Sequence, residues 1–140
     1  MKKILFMLAG ASLMAASAMA QVAVVKDAAK AFGGDVAAKQ AALEMLQPAL
    51  TNPETAQDAN TWLTAGKLAL GIADECTKLK VMGKDVDNAV LDQAIEAGYT
   101  YLAKALPLDT VPEVDKKTGA PKLDKDGNVK VKTKFSFTSI

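Results

Sequence analysis

Apolar residues recur at three- and four-residue steps in four stretches of this chain, and then the rhythm stops. The first stretch, Val22 to Phe32, is rich in alanine and valine and ends at "GGD" (33–35), where two glycines break a helix and supply the left-handed cap one ends on. Asp35 is placed to cap the second helix, Val36 to Leu50, whose stripe is Ala42, Met45, Leu46, Ala49 and Leu50. Pro48 lacks an N–H and is expected to kink or shorten its last turn. In "TNPET", Asn52 reads as an N-cap, Pro53 as the first helical residue and Glu54 as a charge favoured by the helix dipole. The third helix is then expected from Pro53 to about Lys80, with Ala59, Trp62, Gly66, Ala69, Leu70 and Ala73 along one line. After a stop at Gly83, Asp85 or Asp87 caps a fourth helix from Asn88 to about Leu106, ended by Pro107 and Pro112. Val90, Leu91, Ala94, Ile95, Gly98, Leu102, Ala105 and Leu106 line one side of it.

The remainder has no helical period. It is rich in lysine, and Val129, Val131, Thr133 and Phe135 alternate after an Asp-Gly step, which fits a short β-hairpin or an extended arm. An isolated hairpin is marginal in water, so this tail is expected to be mobile or weakly docked. The pattern predicts an all-α fold of about four helices in residues 21–112, followed by a tail, 113–140.

Residues 1–20 stand apart. Lys2 and Lys3 precede an apolar run from Ile4 to Met14, and Ala18-Met19-Ala20 offers small residues for a signal peptidase. Cleavage after Ala20 is expected, which makes the protein exported, to the periplasm or beyond. The run is too short for the roughly 20 apolar residues of a spanning helix, so no stable membrane span is expected after cleavage.

Charge narrows the functional classes. Without Lys2 and Lys3, 15 lysines face 16 carboxylates, and the chain has neither arginine nor histidine. A near-neutral surface without arginine argues against nucleic acid, where a basic face and bidentate Arg contacts are expected. No histidine is available as base or metal ligand, and no phosphate-binding glycine loop occurs. No catalytic residue, cofactor site or metal site is therefore assigned, and the protein reads as a non-enzyme. Cys76, the only cysteine, lies in an apolar-periodic helix and reads as a small buried hydrophobe that forms no internal disulfide. "DKDGN" (124–128) invites a calcium reading. Starting the loop at Asp124 puts Val129 where the EF-hand glycine belongs, and starting at Lys122 replaces the final glutamate by Thr133. A turn is the better reading.

The joint between the second and third helices resembles one between tetratricopeptide repeats (TPR), helical hairpins of about 34 residues. Ala42, Leu46, Ala49-Leu50 and Pro53 resemble the end of a repeat's second helix. Trp62, Gly66 and Ala69 resemble the next first helix, and Gly98, Leu102, Ala105-Leu106 and Pro112 another second helix. The spacing from Gly66 to Gly98 exceeds the usual one, so the hairpin is elongated. In its "NPET" joint and its "KALPLD" segment the chain is similar to the N-terminal part of secreted TPR proteins of Bacteroidetes-type bacteria, or to a truncated member. The resemblance implies antiparallel hairpins of α-solenoid type and a protein or peptide partner. It implies packing roles for Ala49, Leu50, Asn52, Pro53, Trp62, Gly66, Gly98, Leu102, Ala105 and Leu106. It also puts Asn60, Leu63, Lys67 and Leu70 on the concave, partner-facing side. The other reading of the alanine-rich stripes is a closed helical bundle with a structural or apolar-ligand role.

Overall fold

The computed structural model describes residues 18–134. Residues 1–17 of the expected signal segment (1–20) and the expected strand position Phe135 lie outside the described residues. The chain is an all-α fold with a short β tail: α1 (Ala18–Ala29), α2 (Val36–Thr51), α3 (Ala59–Val81), α4 (Asn88–Asp109), β1 (Thr110–Pro112) and β2 (Val131–Thr133).

The first boundary differs from expectation. Lys30–Gly33 form a 3₁₀ turn, and Gly34 is extended (φ −81°, ψ 176°) rather than left-handed. The turn is closed by Gly34 N–H donating to the Ala31 carbonyl, which does the work a left-handed cap would do. Asp35 then caps α2 as expected, its carboxylate accepting from Ala38 N–H at 2.8 Å.

Pro48 and Pro107 both sit inside their helices, so α2 and α4 run beyond the expected ends. Each proline, like the residue four positions before it, is exposed. The carbonyl that loses its helical N–H partner therefore belongs to an exposed residue, which lowers the cost of leaving it without that bond.

The 52–58 joint is also redrawn. Asn52 ends α2 instead of capping α3, its N–H donating to the Pro48 carbonyl and its side chain accepting from Glu54 N–H at 3.0 Å. Asp58 caps α3, accepting from Asn60 N–H at 3.0 Å, and Pro53 lies in the turn. Trp62 explains the late start. Its indole N–H donates to the Ala56 carbonyl at 2.7 Å, an acceptor that a longer helix would give to the Asn60 N–H. Thr55 Oγ1 donates to the Ala49 carbonyl at 2.7 Å and ties the turn back to α2.

Helix α3 is the centre of the core. Leu63, Leu68, Ile72 and Cys76 are buried on it, together with Leu43 and Leu46 of α2 and Val25 and Ala28 of α1. It packs on α1 and α2 on one side and on α4 on the other, while α1 and α4 share no substantial interface. The helices therefore form an open stack rather than a closed bundle.

The α3–α4 contact is antiparallel and reciprocal. A Cβ on Gly66 would stand 2.6 Å from Leu102 Cδ2, and one on Gly98 would stand 2.5 Å from Leu70 Cδ2. Each glycine thus receives the other helix's leucine. On the opposite flank Gly71 makes room for Lys39, whose Cε would be 2.8 Å from an added Cβ. Lys39 is buried; its ammonium donates to the Gly34 carbonyl and lies 3.9 Å from Glu75 Oε1.

The tail is paired beyond a single hairpin, and it is exposed. β2 pairs with β1 in antiparallel register, Thr110 opposite Thr133 and Pro112 opposite Val131. The Asp-Gly hairpin is only a bridge between Leu123 and Val129, and a second bridge joins Val114 to Pro121. Helical structure thus leads directly into the tail at Thr110, not at residue 113. Buried Asp109 holds it: Lys134 N–H donates to the Asp109 carboxylate at 3.0 Å and lies 3.1 Å from its carbonyl.

Candidate interaction surface

Four α3 residues carried the expectation of a partner-facing side, and the stack divides them. Leu63 is buried in the core and Leu70 half-buried against Gly98, so both are internal packing residues. This corrects their placement: with helices on both sides of α3, little of its surface is left open. Asn60 is half-buried and Lys67 exposed. Trp62 is 8 % exposed, with its ring centroid 6.1 Å from that of Tyr101 and the Lys104 ammonium 4.5 Å above it. A cation over an indole face is attracted by the ring quadrupole, so Lys104 fastens α4 over the start of α3.

Among the expected packing residues, Ala49, Leu50 and Ala105 are buried and Leu102 is seated on Gly66. Leu106 is not part of the core; it is 52 % exposed. Ile95 and Tyr99, on the same helix, are 38 % and 69 % exposed. The reason is steric. Ala94, Gly98 and Ala105 form the buried line of α4, where small side chains let α3 come close. Ile95, Tyr99 and Leu106 are each the next residue along, which rotates them about 100° around the helix and out of the contact. They make an apolar stripe that the described residues leave partly exposed. The sequence carries the signal for it: large residues follow small ones at three equivalent positions.

Asp92 and Glu96 stand exposed beside this stripe, and neither forms an ion pair among the described residues. The adjoining tail adds to the apolar surface. Val114, Leu123, Val129 and Val131 are between 45 % and 58 % exposed. Their register puts them on one face, since Leu123 is opposite Val129 and Val131 is opposite Pro112.

Family models, curated proteins and solved structures give no match to this chain.

Cys76 is buried, and burial, with Glu75 beside it, pushes the thiol above its ordinary pKa against a smaller opposing pull from Lys80. Such a thiol is a poor nucleophile. The Asp124 carboxylate accepts from Asp126 and Asn128 N–H, each at 2.9 Å, so it serves the turn. Asp115 does the same for Lys117 and Thr118. These backbone bonds hold both carboxyls below their ordinary pKa. Among the described residues no cluster of three or more potential metal ligands occurs, and no helix is long and apolar enough to cross a membrane.

Proposed function

We propose that this protein is an exported, non-enzymatic TPR-like module that makes protein–protein contacts, with the α4 side as its contact face. The observation that carries the reading is the stripe of Ile95, Tyr99 and Leu106 on the outer helix of an open stack. In a helical repeat array each hairpin buries one face on its neighbour and a terminal repeat closes the array with a polar outer face, so an apolar flank on an outer helix supports a contact there. The antiparallel α3–α4 pair, its small-residue seam and the sharing of α3 with the preceding helices support this organisation over a closed bundle. Soluble proteins rarely leave contiguous apolar patches open unless something docks there.

Amine-reactive crosslinking in intact cells tests the proposal. The expected result is a protein adduct of this chain that Tyr99→Ser removes and Lys67→Glu leaves in place. No adduct, or one lost with Lys67→Glu alone, would overturn the assignment of the contact face.

A further inference from the structure

The buried line of α1 begins with a polar residue. Gln21, Val25 and Ala28 follow one another at four- and three-residue steps and are 6 %, 4 % and 0 % exposed, whereas Val22, Ala23, Lys26 and Asp27 are exposed. The Gln21 amide oxygen, Oε1, is buried without a hydrogen-bond partner among the described residues. An acceptor taken out of water and left unpaired costs stability, and nothing in the fold described so far uses it. Gln21 is also the residue that the expected cleavage after Ala20 makes the first of the chain. It lies inside α1, so the cut would make it the first residue of that helix as well. A free α-ammonium would then stand where the helix dipole disfavours positive charge, on a residue whose side chain is drawn in from water. A glutamine in first position has its α-amine one five-membered ring away from its own Cδ.

We propose that Gln21 is a modification site, converted to pyroglutamate in the mature protein, and that the resulting lactam is the neutral head of the buried α1 line. The proposal rests on the reading of residues 1–20 as a cleaved signal segment. The unprotonated α-amine attacks the Cδ of its own side chain and a Cδ–N bond forms. The Cδ–Nε2 bond breaks, and Nε2 leaves as ammonia with the proton that the amine gives up. No oxidant, reductant or second substrate is consumed. The ring carries no charge and has lost the side-chain amide's two donors, so less polar surface has to enter the core line.

Intact-mass spectrometry of the chain, expressed with its own residues 1–20 and purified from cells, provides the test, with amine-directed N-terminal sequencing alongside. The expected product spans residues 21–140, lacks the mass of one ammonia and yields no sequence. Pyroglutamyl aminopeptidase should open it to sequencing only after denaturant is added, because the ring is seated in the core line. Gln21→Ala, cut at the same place, should show the unshifted mass and give its sequence directly. A chain that keeps residues 1–20, or is cut elsewhere, overturns the signal-segment reading and the modification with it. A chain that starts at Gln21 with full mass and a free amine overturns the modification alone and leaves the cleavage standing. A ring removed from the native protein as readily as from the denatured one overturns its seating in the core line.

Discussion

Individual residues carry most of the specificity of this fold. Gly66 and Gly98 exist to receive Leu102 and Leu70. Gly66→Ala should destabilise the protein by about 1–3 kcal/mol through overpacking, despite the gain of up to about 1 kcal/mol in helix propensity. In Gly66→Ala/Leu102→Ala, part of that loss should return, because the added methyl enters space the leucine left; a double-mutant cycle by urea unfolding would read the coupling. Cys76 should react with a thiol reagent only after denaturant is added, since the thiol is buried and its pKa raised. The pH dependence of the turns has a definite sign. Asp115 and Asp124 have folded pKa values below their unfolded ones, so their stabilisation is present above the unfolded value and disappears as pH falls through the folded value. NMR titration of the two carboxyl carbons should give midpoints below that of free aspartate, and amide protection in the turns should persist to the same acidity.

At the scale of elements, the helices were legible in the sequence and their ends were not. Hydrophobic period places all four, because it records which faces are buried. Boundaries depend on which of several competing partners takes each backbone group. Asn52 and Asp58 are both good caps, and the Trp62 indole decides between them by taking the Ala56 carbonyl. Trp62→Phe should release that carbonyl, and the first turn of α3 should show altered amide exchange around Ala59 and Asn60. The helix ends at the prolines were misplaced for a related reason: the pattern shows where Pro48 and Pro107 are, not that they and the residues four positions before them are exposed. The tail shows a long-range effect. Val131 was expected in a short β-hairpin or an extended arm; it pairs with Pro112, and Asp109 and Lys134 close the loop between them. Asp109→Ala should remove an acceptor for the Lys134 N–H and raise exchange at residues 131–134, with the helical core little changed.

At the scale of the molecule, the central helix determines what is left to act. With α1 and α2 on one side of α3 and α4 on the other, Leu63 and Leu70 are consumed internally. The partner-facing side assigned from the repeat pattern therefore keeps only Asn60 and Lys67 near the surface. The sequence pattern put Ala94, Gly98 and Ala105 on one side of α4 together with Ile95 and Leu106, and the structure buries only the small ones. The functional consequence lies one residue further on, in Ile95, Tyr99 and Leu106, because close packing of the small face turns the large one outward. A stripe of that kind is visible in a sequence only once the buried line of the helix is known.

The most direct test of α4 as a contact face is a photo-activated crosslinker at position 99, examined in the living cell against the same group at exposed Lys84 on the α3–α4 turn. A protein adduct at position 99, absent at position 84, is the predicted result. Equal labelling at both positions, or none at position 99, would contradict it.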